Sequence, residues 1–139
     1  MCSIMSTRIY KETHFDASHR LMYYDGKCSR LHGHRWEVEV WMDGTIDATS
    51  KILLDYNIIK QVVDVYDHQV ILNREDPMVK ALSPFQLPLL TDGDPTSELL
   101  AEDIRARLNR FCSEVGVDAR VTKVRVWESE GGYAEVGAE

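Results

Sequence analysis

The sequence predicts an α+β fold in which two helices cover one face of a four-stranded antiparallel sheet, in the chain order strand, strand, helix, helix, strand, strand. Three observations carry that prediction. Apolar and polar residues alternate near both ends of the chain, apolar residues recur at helical spacing in two central stretches, and turn-forming residues separate these blocks. With 139 residues, 44% of them hydrophobic, the chain suits one domain, residues 1–139, whose core needs neither disulfides nor a structural metal.

From Ile9 to His19 the pattern is that of an imperfect strand, with Ile9, Phe15 and Ala17 on one side, Arg8, Tyr10 and Glu12 on the other, and His19 on the side of Phe15. A cleaner strand runs from His34 to Met42, where His34, Trp36, Val38, Val40 and Met42 face one way. The two can pair as a long hairpin. Asp55 caps a helix extending to about Tyr66, with Ile58, Ile59, Val62, Val63 and Tyr66 as its buried stripe. Ser83 to Asp94 holds two of the four prolines and reads as a loop. The second helix starts between Asp94 and Ser97, with Asp94 as cap and Pro95 in the first helical position; Leu100, Ile104, Leu108 and Phe111 form its apolar face. Arg120 to Glu128 alternates again, placing Thr122, Val124, Val126 and Glu128 on one side, and after Gly131 and Gly132 a short last strand covers Tyr133 to Val136. Such a sheet leaves edge strands in need of a neighbour, so oligomerisation is expected.

A formal net charge of -7 argues against nonspecific binding to nucleic acid or to anionic membranes, both of which require a basic face. No stretch approaches the roughly 20 apolar residues of a membrane span, and Met1 to Arg8 lacks the apolar segment of an export signal. Cys2, Cys28 and Cys112 are odd in number and widely spaced, which fits neither a disulfide framework nor a zinc ribbon. A reducing, cytoplasmic compartment is expected. Cys112 reads as a small buried apolar residue and Cys2 as part of a frayed terminus.

Chemistry concentrates in Leu31-His32-Gly33-His34. Residues i and i+2 on a strand project to one side, so His32 and His34 can share an ion while Gly33 lets backbone approach. His19 supplies a third nitrogen if the strands pair, and three neutral imidazoles on Zn²⁺ leave the open position of a catalytic site. Taken alone, a His-x-His pair is more often a chance feature of a turn. His14 points away from His19 and is left out of the set.

Cys28, near Lys27 and Arg30, is either a small buried residue or a thiolate able to remove a carbon-bound proton beside a Lewis acid. Asp67 beside His68 can fix the imidazole tautomer and make a general acid or base, although such pairs also occur simply at helix ends. Glu128 closes an otherwise apolar face: it is either solvated past the strand's end or accepts two parallel hydrogen bonds from an amidine-like edge such as that of a pterin.

In order along the chain, Phe15-Asp16-Ala17-Ser18-His19, Cys28 through His34, Asp67-His68, Pro95-Thr96-Ser97-Glu98 and Glu128 resemble the 6-pyruvoyltetrahydropterin synthase superfamily. The resemblance implies the tunnelling fold, or T-fold, with three subunits forming a barrel and two barrels stacking into a homohexamer whose active sites lie between subunits. It also implies that His19, His32 and His34 bind zinc, that Cys28, Asp67 and His68 transfer protons, and that Glu128, Thr96 and Ser97 bind the pterin. For Thr96 and Ser97, helix capping is the alternative role. Lys27, Arg30 and Arg35 are candidates for the substrate's phosphates or plain surface charges.

The short interval between Cys28 and His32 looks like the 6-carboxytetrahydropterin synthases of queuosine biosynthesis, and Cys28 stands where a folate-associated branch carries Glu. The implied activity is a zinc-dependent lyase reaction converting 7,8-dihydroneopterin triphosphate to 6-carboxytetrahydropterin, acetaldehyde and triphosphate, in 7-deazaguanine (queuosine or archaeosine) biosynthesis. The alternatives are 6-pyruvoyltetrahydropterin synthesis, which stops at triphosphate elimination, and a noncatalytic zinc- or pterin-binding oligomer. Tyr56, Ser129 and the long connection from Asn73 to Asp94 depart from the family pattern.

Overall fold

The computed structural model describes residues 6–137. Strands β1 (Thr7–His19) and β2 (His32–Gly44) pair antiparallel along their whole length, from Thr7 opposite Gly44 to His19 opposite His32. Alternation dictates the outcome: Phe15, Ala17 and His19 of β1 and Trp36, Val38, Val40 and Met42 of β2 are buried on one face. Against this face pack α1 (Tyr56–Val63), through Ile59 and Val63, and the long helix α3 (Ser97–Val115), through Leu100, Ala101, Ile104 and Leu108. Each of the larger aliphatic side chains contributes about 1.5–3 kcal/mol on leaving water. Phe15 and Trp36 stack at the centre, with ring centroids 5.7 Å apart and planes 7° from parallel. β5 (Ala119–Ser129) adds to β2, and β6 (Gly132–Gly137) to β5, both antiparallel.

These four strands and two packed helices are the unit expected, but the sheet is larger and mixed. Two short strands, β3 (Gln69–Asn73) and β4 (Leu89–Thr91), extend it beyond β1, giving the order β4-β3-β1-β2-β5-β6; β3 runs parallel to β1 and β4 parallel to β3. A five-residue helix, α2 (Met78–Leu82), follows Pro77. In β3 the run Val70-Ile71-Leu72 does not alternate, and β4 is three residues long and follows Pro84 and Pro88, so neither carries the period-2 signal of a strand.

Three local expectations also change. α1 ends at Val63 and a 3-10 turn covers Asp64–Tyr66. The cap of α3 is Thr96, whose Oγ1 accepts from the Leu99 N–H at 3.0 Å, so Pro95 precedes the helix and Asp94 instead accepts from the Tyr23 N–H and Asn73 Nδ2. In β5 the register shifts where Trp41 faces Lys123 and Met42 faces Val121, so Val121 takes the buried place expected of Thr122. α3 stops at Gly116, whose φ of 75° favours glycine, with its N–H bonded to the Cys112 carbonyl.

No helix among the described residues is long and apolar enough to cross a membrane. Cys112 is buried in the core, where burial pushes its thiol pKa up; Cys2 lies outside the described residues.

Candidate active site

At one end of the β1–β2 pair, His19 faces His32 directly, and His34, two residues further along β2, faces Ala17. One ligand atom from each of His19, His32 and His34 lies within 4.8 Å of the others. The imidazoles are already oriented. His19 Nδ1 donates to the Pro95 carbonyl at 2.7 Å and His32 Nδ1 donates to the Arg30 carbonyl at 2.6 Å, because only a protonated nitrogen can face a carbonyl oxygen. That fixes the tautomer and leaves each Nε2 with a lone pair. The Nε2 atoms of His19 and His34 are buried without a hydrogen-bond partner. Such orphaned ring nitrogens are costly unless a partner meets them, and three convergent imidazoles fit a zinc ion.

Burial above all holds the pKa values of His19 and His34 below the ordinary histidine range, with Glu128 acting in the opposite direction on both and the Pro95 carbonyl doing so on His19. Neutral imidazole is the form a metal requires. Glu128 comes closer to the histidines than its expected role foresaw: its carboxylate oxygens stand 3.5 Å from His34 Nε2 and 4.0 Å from His19 Nε2. Alternation along β5 keeps Glu128 on the face of Val124 and Val126, which His19 and His34 share, and a second irregularity, in the pairing with β6, falls between Trp127 and Ser129. Beside it a cavity of about 670 Å³ opens between β2 and the β5–β6 turn, lined by His34, Arg35, Val38, Trp127, Glu128 and Ser129 among others.

Cys28 sits half-buried in a 3-10 turn, Lys27–Ser29, between β1 and β2. Asp67 and His68 are held next to the opposite, solvent-facing side of β1. Asp67 Oδ1 accepts the Asp16 N–H at 2.8 Å, the His68 N–H donates to the Asp16 carbonyl at 2.7 Å, and His68 Nδ1 donates to Asp67 Oδ2 at 2.8 Å. The Asp16 N–H, and then His68, keep the Asp67 carboxyl below the usual carboxylate range. His68 has a φ of 61°, a left-handed conformation costing a non-glycine residue on the order of 1–3 kcal/mol, and its side chain is 82% exposed. It lines a second cavity, about 510 Å³, with Asp16, Ser18, Gly33, Arg35 and Gln86.

Within one chain, then, the three histidines and Glu128 come together, while His68 lies on the other face of the sheet, and Thr96 and Ser97 directly follow Pro95, whose carbonyl holds His19. Thr96 caps α3 and lines a separate cavity with Arg74 and Arg107, and Ser97 Oγ donates to Glu98. Lys27 and Arg30 are exposed on the Cys28 turn, and Arg35 already pairs with Asp16 at 3.0 Å. His14 is exposed, as its strand position implies. Gly33 is not required for close approach within the chain, since a Cβ there would lie 3.5 Å from the Ala17 carbonyl, an ordinary contact. The carbonyls of Pro95 and Arg30 were not foreseen as orienting groups, and a backbone acceptor leaves no residue-type signal in a sequence.

Residues 8–139 match the family described as 6-pyruvoyl tetrahydropterin synthase. A Pyrococcus abyssi protein provisionally named 6-carboxy-5,6,7,8-tetrahydropterin synthase is 32% identical, over 93% of this chain and 88% of its own. The 6-carboxy-5,6,7,8-tetrahydropterin synthase of Haemophilus influenzae is 27% identical over 92% of this chain and 96% of its own. Among solved structures, the Caenorhabditis elegans 6-pyruvoyl tetrahydropterin synthase shares the fold with a TM-score of 0.66 at 24% identity, covering 100% of both chains. Matched over nearly its whole length, the chain belongs to the 6-pyruvoyl tetrahydropterin synthase family, whose enzymes are lyases acting on pterins.

Proposed function

We propose that the protein is a zinc-dependent 6-carboxy-5,6,7,8-tetrahydropterin synthase, converting 7,8-dihydroneopterin triphosphate and water to 6-carboxytetrahydropterin, acetaldehyde and triphosphate, and supplying 7-deazaguanine (queuosine or archaeosine) biosynthesis. The observation that carries the reading is the buried, unpartnered Nε2 pair of His19 and His34, beside the Glu128 carboxylate and the open cavity next to it. The names of the Pyrococcus and Haemophilus relatives favour the carboxy product.

His19, His32 and His34 would hold the zinc, which when bound acts as a Lewis acid toward a side-chain oxygen of the substrate. Glu128 accepts two hydrogen bonds from the amino group and ring N–H of the pterin. Cys28 takes a proton from the side-chain carbon bearing that oxygen. His68 presents Nε2 to solvent while Asp67 holds Nδ1, so the pair can return or accept protons as triphosphate leaves. Water then enters and the side chain is cleaved to acetaldehyde. Thr96 and Ser97 assist at the pterin, and Lys27, Arg30 and Arg35 are candidates for the triphosphate.

Sites shared between subunits are part of the same proposal. Two features favour them: β4 and β6 leave open sheet edges, and Phe85 and Leu87 before β4, with Tyr23 and Tyr24 between β1 and β2, are exposed apolar residues. A homohexamer with interface active sites is the assembly proposed, and free thiols at Cys28 and Cys112 are in keeping with a cytoplasmic setting.

The test is product analysis by mass spectrometry after incubating zinc-loaded protein with 7,8-dihydroneopterin triphosphate. 6-Carboxytetrahydropterin with acetaldehyde supports the assignment. 6-Pyruvoyltetrahydropterin alone would replace it, and absence of any turnover would make the protein a binding member of the family.

A further inference from the structure

The turn that carries Cys28 has little to hold it in place. It is three residues of 3-10 helix with no fully buried side chain, closed by local bonds from the Ser29 and Arg30 N–H groups to the Gly26 and Lys27 carbonyls. A thiol that must meet one carbon-bound proton needs better definition than such a turn provides, since a misplacement near 1 Å costs about 100-fold in rate.

Arg20 supplies it. Its guanidinium forks onto Asp76, with Nε donating to Oδ2 at 2.6 Å and Nη2 to Oδ1 at 2.8 Å, and its remaining arm, Nη1, donates to the Ser29 carbonyl at 3.0 Å. Next to it, the Leu21 N–H donates to the Cys28 carbonyl at 2.9 Å. Asp76 is a firm anchor. Its carboxylate is fully buried, it also accepts the Met78 N–H at 2.8 Å, and its own N–H bonds to the Asn73 carbonyl at the end of β3. A planar guanidinium can satisfy a bidentate carboxylate and a carbonyl at once, which a lysine cannot.

We infer that Arg20 is a positioning residue for Cys28, fastening the thiol-bearing turn to Asp76 and so to the connection between β3 and α2. The inference rests on the reading of Cys28 as the proton-transfer group. It also links two parts of the proposed machinery that are distant in sequence, because β3 begins immediately after His68. Arg20 touches neither the cavity beside Glu128 nor the orphaned imidazole nitrogens, so its influence on turnover runs through the turn.

The experiment compares zinc-loaded wild type, Arg20→Lys and Asp76→Asn in three readouts: steady-state kinetics with 7,8-dihydroneopterin triphosphate, bound zinc, and the iodoacetamide alkylation rate of Cys28 followed by peptide mass mapping. Expected in either variant is a fall in kcat of about 10- to 100-fold with KM within about twofold, zinc retained, and faster alkylation of Cys28 as the turn loosens. Asp76→Asn keeps the shape of the anchor and is read if Arg20→Lys does not fold. Wild-type kcat and alkylation in the folded variants would overturn the inference. So would a loss of zinc with unchanged alkylation, which would place the effect on the adjacent His19. A Cys28→Ala protein with full turnover would instead overturn the catalytic reading of the thiol, and the alkylation rates would still decide whether Arg20 holds the turn.

Discussion

His19 and His32 face each other across β1 and β2 as a directly paired couple, and each has its Nδ1 committed to a backbone carbonyl, of Pro95 and Arg30 respectively. The pairing aims both Nε2 atoms at the space that His34 also enters. Two backbone carbonyls, one two residues before α3 and one two residues before β2, therefore orient a site built on β1 and β2.

Removing one of the three imidazoles should abolish tight zinc binding. His34→Ala should lower zinc affinity by more than the roughly 10- to 100-fold typical of losing an outer hydrogen-bond partner, and competition with a chromophoric chelator measures it. An unchanged affinity would remove the histidines from the metal site.

The metal-free protein should lose stability as pH falls below about 6.5. Burial, chiefly, depresses His19 and His34 in the folded state, so the unfolded chain takes up protons near the ordinary histidine value of about 6.5 that the folded chain refuses. The stabilisation is therefore complete above that pH and is lost as pH drops toward the depressed folded values. Depressed carboxylates such as Asp76, held down by Arg20, add a separate loss around pH 4 and below. Thermal unfolding of chelated protein between about pH 8 and pH 5 should show the first decline, and saturating zinc should oppose it.

Glu128→Gln should raise KM by about 10- to 100-fold, matching the roughly 1.5–3 kcal/mol of a hydrogen bond to a charged group, while zinc stays bound. A loss of zinc without a change in KM would instead assign Glu128 to the metal.

Thr96→Ala should destabilise the fold by about 0.5–2 kcal/mol through loss of the cap on α3, and Thr96→Ser should restore it. Denaturant unfolding measures this. Kinetics on the same pair decide whether Thr96 also touches substrate, because a cap alone leaves KM unchanged.

The alternation from Phe15 to His19 and from His34 to Met42 made the central hairpin and its buried face legible, and with them the convergence of three histidines. The stripes of α1 and α3 were equally plain. What escaped was short or aperiodic. β3 is a buried run without alternation, β4 spans three residues, and the bulges near Thr122 and Glu128 break the period on which strand reading depends. Glu128 nonetheless keeps the face of Val124 and Val126 and stands by His34. The Arg20–Asp76 fork was invisible for a different cause: 56 residues separate its partners, and neither belongs to a recognisable motif.

The most direct test of the central claim, that the three histidines hold a zinc ion on which pterin chemistry depends, is the rate of triphosphate release from 7,8-dihydroneopterin triphosphate by chelated and reconstituted protein. This readout is common to the carboxy and pyruvoyl reactions. Release should be negligible without metal and recover on adding about one equivalent of zinc per chain; undiminished release by fully chelated protein would remove the metal from the reaction.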